Sequence, residues 1–383
     1  MSGLPRRESP EPLYVGRPNV GDRKRFAAMV DDMLDRRWLT NGGPFVVELE
    51  RRLAAYLGVR HVLAVCNATV AIEIAARALN LAGEVIVPSF TFVATAHALQ
   101  WLGLTPVFAD IDPRTHMLDP AAVEAAITPR TSAIFGVHLW GRTCDVEALR
   151  DVAERRRVQL FFDAAHAFGC TRHGTMVGNF GAAEVFSFHA TKFFNTFEGG
   201  AIATNDDALA ERIRLMRNFG FGGYDEVRSA GTNGKMSEVA AAMGLVNLDS
   251  VDDFIAVNRR NYERYRAGLS GVPALRFLEF GDGDRTNYQY VVVEIDNGAS
   301  AATRDEIVSA LWEQSVFARR YFYPGAHRAE PYRSLPEYRA VRLPQTESLV
   351  ARTLVLPTGT GIGDGDIEFI CTFLRAAVGR ERP

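Results

Sequence analysis

The stretch Phe186-Ser187-Phe188-His189-Ala190-Thr191-Lys192, with Glu198-Gly199-Gly200 shortly after it, is an apolar strand-like run that breaks into a polar turn and ends on a lysine. Phenylalanines flank that lysine at 186, 188, 193 and 194. An ammonium set in an apolar wall has its charged form disfavoured, which lowers its pKa and makes it a nucleophile near neutral pH. A loop lysine facing water is the plain alternative. The count of lysines tips the balance. Among 43 basic residues only Lys24, Lys192 and Lys235 are lysines, and every other one is arginine. Arginine serves solubility and ion pairs equally well, but it cannot lose its proton or form a Schiff base. Lys192 therefore asks for a chemical role.

Outward from this stretch, short apolar runs alternate with helical patterns. Strands are predicted over His61–Cys66, Glu84–Val87, Pro106–Ala109, Ser132–Val137, Gln159–Phe162, Glu184–Phe188 and Ala201–Thr204. Helices are predicted over Ala68–Leu79, Thr91–Trp101 and Pro120–Ile127. Such alternation implies an α/β fold, a mostly parallel sheet between helices, with ligands bound at the carboxyl ends of its strands. A helical lead-in precedes it, over Gly21 to Trp38 and Phe45 to Leu57, with a Thr40-Asn41-Gly42-Gly43-Pro44 turn between. Beyond Lys235 one long helical region is expected to about Leu269. Strand-like Gln289–Ile295 and helices over Arg304–Trp312 and Asp364–Val378 follow it. The expected division is a large domain over 1–255 and a smaller C-terminal α/β domain over 256–383.

Composition narrows the class. The chain has 383 residues, 47% hydrophobic and 23% charged, which is a globular balance. A net charge of −3 offers no bulk attraction to a phosphate backbone, so no nucleic-acid partner is expected. Cys66, Cys144, Cys170 and Cys371 are widely spaced with no CxxC pair, so neither a disulfide framework nor a thiolate metal site is indicated. Met1 to Pro18 has no apolar core of a secretory signal, and no apolar run reaches the roughly 20 residues of a membrane span. The expectation is a cytoplasmic protein with no membrane partner.

Three other strand ends carry candidate chemistry. In Phe161-Phe162-Asp163-Ala164-Ala165-His166 a carboxylate closes an apolar strand, which is costly unless a cation pairs with it. Such an Asp suits the ring nitrogen of a pyridoxal phosphate cofactor, or it caps a helix. His166 either contacts the same cofactor or is an interior histidine. In Cys66-Asn67-Ala68-Thr69 the start of a helix suits a phosphate, and Thr69 serves equally as a plain cap. In Pro88 to Thr95, Phe92 is a core residue or an aromatic platform for a flat ring. Phosphate cradle, stacking aromatic, carboxylate and Schiff-base lysine occur in the order of fold type I pyridoxal phosphate enzymes. The Gly-rich dinucleotide fingerprint is absent, which argues against a nicotinamide dehydrogenase.

On these residues the chain resembles the DegT-like sugar-nucleotide aminotransferases along nearly its whole length. The resemblance extends to Trp38 to Pro44, Gly231-Thr232-Asn233-Gly234-Lys235-Met236-Ser237-Glu238, Gly136 to Arg142 and Leu356 to Thr360. It implies a fold type I aminotransferase in which Lys192 forms the Schiff base and Asp163 pairs with the pyridine nitrogen. His166 would lie near the phenolic oxygen and Phe92 on the ring, with Ala68, Thr69 and Ser187 at the phosphate. Asn233 would reach the phosphate of a neighbouring subunit, making a homodimer with shared active sites. The family's usual Gly-Thr phosphate motif is Ala68-Thr69 here, a change that a backbone amide contact survives. A family branch that replaces the lysine with histidine is excluded by Lys192.

The resemblance is closest to the branch that aminates C4 of deoxysugars. It implies that L-glutamate converts the cofactor to pyridoxamine 5'-phosphate, which then aminates a dTDP-linked 4-keto-6-deoxy-D-glucose for deoxysugar and antibiotic biosynthesis. Lys235, Tyr323 and His327 are candidate substrate contacts, the last two in the aromatic, basic segment Arg319 to His327. Two rivals remain at this point: amination of a 3-keto sugar or keto-cyclitol on the same scaffold, and a regulatory homologue without catalysis.

Overall fold

A computed structural model describes residues 4–7, 11–281 and 283–379. Parts of the polar lead-in, at 1–3 and 8–10, lie outside the described residues.

Seven strands form the main sheet: β1 (His61–Val65), β2 (Glu84–Pro88), β3 (Thr105–Ala109), β4 (Thr131–Val137), β5 (Gln159–Asp163), β6 (Glu184–Ser187) and β7 (Gly200–Thr204), in the order β1-β7-β6-β5-β4-β2-β3. All its pairings are parallel except the two made by β7. Each strand lies within about a residue of its expected span. Side chains alternate across the sheet. Val85, Val87, Phe135 and Phe161 face helices Ala68–Ala78, Ala94–Trp101 and Asp207–Met216. Ile86, Ile134, Leu160 and Phe162 face helices Pro120–Ala126 and Val146–Arg156. Both faces are covered, so the strands read as unbroken apolar runs.

The register places the site. Asp163, the last residue of β5, stands opposite Val137 of β4 and Val185 of β6. Lys192 follows the end of β6 by one turn, closed by the Lys192 N–H donating to the His189 carbonyl at 2.8 Å. The two groups thus emerge at the carboxyl edge of adjacent strands.

A second, antiparallel sheet of β8 (Leu275–Phe277), β9 (Val291–Ile295) and β10 (Thr353–Leu356) packs with helices Val251–Gly268, Arg304–Glu313 and Asp364–Val378. Strands β8 and β10 have no counterpart in the sequence expectation. The chain crosses between the two layers more than once. Leu13–Tyr14 pairs with Val316–Phe317, while Ala326, Tyr332 and Tyr338 pack into the core of the main sheet.

The expected single helix after Lys235 is two helices, Glu238–Asp249 and Val251–Gly268, broken at Ser250 (φ −106°, ψ 7°). Side chains at the break are committed elsewhere. Asn247 accepts from the Gly21 N–H and donates to the Asn195 carbonyl, and Asp249 pairs with Arg25 and Arg52. Among the described residues no helix is long and apolar enough to cross a membrane.

Glu238 ties the lead-in to the main body. Helix Pro44–Leu57 starts at Gly43, which offers no side chain to cap it. The buried Glu238 carboxylate takes that place, accepting from the Phe45 and Val46 N–H groups at 2.9 Å each. A carboxylate at a helix start also complements the helix dipole. A Cβ at 43 would stand 2.5 Å from the Glu238 carboxyl carbon and push the carboxylate out of its capping position. Removing the acceptor leaves buried N–H groups unmade. Glu238→Ala should therefore cost about 1–3 kcal/mol in urea unfolding; an unmoved midpoint would contradict this role.

Candidate active site

The carboxylate is built first. Thr95 Oγ1 donates to Asp163 Oδ2 at 2.9 Å and the Ala165 N–H donates to Oδ1 at 3.0 Å. Thr91 and Thr95 hydroxyls lie 3.0 Å apart behind them. Burial pushes the Asp163 carboxyl up, and the Ala165 amide, the Thr95 hydroxyl and the Lys192 charge pull it back. Below it the His138 N–H donates to the Asp163 carbonyl at 2.8 Å. His138 Nδ1 accepts from the Cys144 N–H at 3.1 Å, and Nε2 lies 3.2 Å from Glu184 Oε2, with both side chains fully buried.

The amine comes next. Burial pushes Lys192 down to about 8, and the Asp163 charge opposes that shift. Its Nζ donates to the Tyr290 hydroxyl at 3.3 Å, and that hydroxyl lies 3.1 Å from His166 Nε2. Burial, reinforced by the Lys192 charge, holds the His166 imidazole well below its ordinary value. The flanking phenylalanines were expected to shelter the amine, and they do not. Phe186, Phe188, Phe193 and Phe194 pack into a separate core with Leu49, Leu53 and Leu245, and none of the four lines the cavity. Phe186 points into that core from the strand, and the turn after Lys192 folds Phe193 and Phe194 back into it. The ring beside Nζ is Tyr290, its centroid 5.9 Å away. The phenylalanines anchor the strand and loop that carry Lys192. Gly16 packs on that loop, where a Cβ would come within 2.8 Å of Thr191 Cβ.

The third part is a helix start. Asn67 caps helix Ala68–Ala78 by accepting from the Val70 N–H at 2.9 Å. The first amides of a helix have no intrahelical acceptor, which makes this end suited to an anion. Gly200 lets β7 come this close, since a Cβ there would sit 2.9 Å from the Ala68 nitrogen.

One cavity of about 690 Å³ is lined by Ala68, Thr69, Phe92, Asp163, His166, Ser187 and Lys192 together, with Tyr290, His138, Arg319 and Tyr321. Phe92 is 57% exposed at its rim, between this cavity and an outer one of about 430 Å³ lined by Tyr14, Trp312, Arg320 and Tyr323. Tyr323 belongs only to the outer cavity, its ring 4.9 Å from the Arg320 guanidinium. Asn233 and Lys235 stand outside both, on an exposed face. There Lys235 Nζ donates to Asn233 Oδ1 at 2.7 Å and lies over the Phe219 ring at 4.5 Å. His327 does not reach either cavity. It is 1% exposed, with Nδ1 2.6 Å from Ser89 Oγ and Nε2 3.2 Å from Glu347 Oε1, so its polar atoms are used in packing. Sequence reasoning missed Tyr290, Thr95 and His138. Thr95 and His138 lay inside quoted motifs, but nothing in the spacing joins position 290 to position 192.

A model described as the DegT/DnrJ/EryC1/StrS aminotransferase family matches residues 21–375. The chain belongs to this family. It is 37% identical over 367 residues to a dTDP-4-amino-4,6-dideoxy-D-glucose transaminase of Shigella dysenteriae, covering 95% of this chain and 99% of the relative. Among solved structures it is similar to DesI, determined in the presence of its TDP-sugar product, with 52% identity, a TM-score of 0.92, and 97% of this chain and 94% of that one covered. It is also similar to S. venezuelae DesV in complex with a ketimine intermediate, with 30% identity, a TM-score of 0.86, and 95% and 99% covered. The family and the aminotransferase fold expected from the motifs are both met.

The buried amine has a measurable signature in this aminotransferase. Competitive acetylation of the cofactor-free protein should give Lys192 a titration midpoint near 8, and one near 10.5 would contradict its burial. The unfolded chain keeps that proton up to about 10.5, whereas the folded one releases it from about 8. The cofactor-free fold should then gain stability as pH rises between those values. Lys192→Met should abolish that gain.

Proposed function

We propose that this chain is a pyridoxal phosphate-dependent transaminase that moves the amino group of L-glutamate to C4 of a dTDP-linked 4-keto-6-deoxy-D-glucose. The observation that carries the reading is the half-buried Lys192, its amine shifted down by desolvation, sharing one cavity with the buried Asp163 carboxylate. The likeness to DesI and to the Shigella dysenteriae transaminase supports the choice of sugar and carbon.

The residues present fit the cofactor. A carboxylate, an amine and a helix start lie around one cavity, and His166 Nδ1 is buried there with no partner among the described residues. Lys192 would hold the aldehyde carbon, Asp163 the ring nitrogen and His166 the phenolic oxygen. Phe92 would lie on the ring, and Ala68, Thr69 and Ser187 would hold the phosphate. When bound, the cofactor supplies a ring that accepts electrons from a carbon losing its proton.

The chain's own residues do the rest. Asp163, whose carboxylate accepts from Thr95 and the Ala165 amide, would stabilise a protonated ring nitrogen. With its amine free, Lys192 has a pKa of about 8 in the cofactor-free fold, which suits a group that would take and return a proton at the substrate carbon. Tyr290, itself hydrogen-bonded to His166, holds that amine in place. Tyr321 and Phe322 line the same cavity and help keep water from it.

The reading includes a homodimer. Asn233 and Lys235 lie outside their own chain's cavity, beside the exposed Phe219, so only a second copy brings them to a phosphate or diphosphate. Four free thiols suit a reducing cytoplasm, and the 4-amino sugar suits deoxysugar and antibiotic biosynthesis. The division into 1–255 and 256–383 is part of the same reading, supported by the separate core around Tyr262, Leu311 and Phe373.

With L-glutamate and dTDP-4-keto-6-deoxy-D-glucose, the purified protein should yield a sugar whose NMR spectrum places nitrogen on C4. Nitrogen on C3, or no product, would refute the assignment. Lys192→Ala should make no product. Asp163→Asn should retain cofactor while turnover falls by about 10²–10³, the range for loss of one preorganised electrostatic group; an unchanged rate would remove its role.

A further inference from the structure

Lys192 Nζ, the Tyr290 hydroxyl and His166 Nε2 form one line of contacts, at 3.3 and 3.1 Å. The proton count along it is constrained. An ammonium has three donors and no acceptor, and a phenol has a single proton. Facing a charged Lys192, the Tyr290 oxygen must accept, which leaves its own proton for His166. His166 Nε2 then accepts, so the one proton of a neutral imidazole sits on Nδ1. That nitrogen is the buried one with no partner among the described residues, in a side chain that lines the cavity. Trp140 and Phe322 close over the His166 ring, with centroids at 5.6 and 6.0 Å. Lys192 is faced by Asp163, His166 and Tyr290; Tyr290 is faced by Gln289, Tyr321 and Arg319 as well.

We propose that Tyr290 is a positioning residue that anchors the Lys192 amine and fixes His166 as its Nδ1–H tautomer, so that the cavity wall presents a hydrogen-bond donor to an acceptor oxygen of the bound ligand. That this oxygen is the phenolic oxygen of a pyridoxal group rests on the function proposed above; the tautomer does not. When Lys192 gives up its proton, its lone pair becomes an acceptor for the Tyr290 O–H, and His166 loses that hydrogen bond. One phenol thereby couples the charge of Lys192 to the tautomer of His166.

The test uses the cofactor-free full chain. Two-bond ¹H–¹⁵N spectra of protein labelled at its eight histidines, with His166→Asn to identify the signal, read the tautomer directly. Below pH 8 the wild type should carry the proton on Nδ1. Tyr290→Phe, which removes only the hydroxyl, should shift His166 toward Nε2–H and lower the Lys192 acetylation midpoint, because the ammonium loses an acceptor. In the loaded enzyme the same variant should lose about 10- to 100-fold in kcat, the scale of a hydrogen bond to a charged group, with KM for both substrates unchanged. A purely structural tyrosine would lower the melting temperature without moving the tautomer. Nε2–H in the wild type, or a tautomer and midpoint untouched by Tyr290→Phe, overturns the proposal. Nδ1–H in a chain that takes up no pyridoxal phosphate upholds the proposal and overturns the cofactor reading.

Discussion

Burying one ammonium is the constraint around which this chain is organised. Lys192 gives up most of its water at the floor of a cavity, and the protein returns a phenol oxygen and the distant Asp163 carboxylate. Neither satisfies a full charge. The amine's pKa is therefore lowered to about 8, and a nucleophile that water would keep protonated becomes available nearer neutral pH. Asp163 is the complementary case, a buried carboxylate kept usable by Thr95 and the Ala165 amide. The site holds an amine and a carboxylate whose charged forms are both disfavoured by burial, and a ligand with matching groups completes both.

That constraint explains why the two sheets are tied together. Lys192, Asp163 and His166 come from the parallel sheet, but Tyr290 immediately precedes β9 of the antiparallel one. Asn287 reinforces the link, donating to the His166 and Phe168 carbonyls at 3.0 and 3.1 Å. Displacing the smaller layer would strip Lys192 of its partner and expose it to water. The glycines at 16 and 200 work at the same scale, one letting backbone approach the lysine loop and the other the start of helix Ala68–Ala78, where a side chain would stand in the way.

Much of this was legible in the sequence, because it depended on short-range pattern. Both faces of the main sheet are covered, so its strands announce themselves as apolar runs, and the candidate site residues lie within a few positions of the ends of β1, β2, β5 and β6. Ala68, Thr69, Phe92, Asp163, His166, Ser187 and Lys192 do line one cavity. What was illegible depended on direction or distance. The phenylalanines around Lys192 were the right signal for burial but the wrong wall, since the turn that carries the lysine folds Phe193 and Phe194 back into the core under Phe186 and Phe188. Tyr290 lies 98 positions from Lys192, and its strand reads as an ordinary core segment. His327 looked like a substrate contact because of its basic, aromatic surroundings, yet Ser89 and Glu347 occupy both its nitrogens. The break at Ser250 was invisible because no proline or glycine marks it in Asn247-Leu248-Asp249-Ser250-Val251.

The central claim is chemical, and scarcity of lysine makes it easy to read. With only Lys24, Lys192 and Lys235 in the chain, the protein can be loaded with pyridoxal 5'-phosphate, reduced with borohydride, digested and mapped by mass spectrometry. The account predicts one stoichiometric label, on Lys192. A label on Lys24 or Lys235 instead, or none at all, would contradict it.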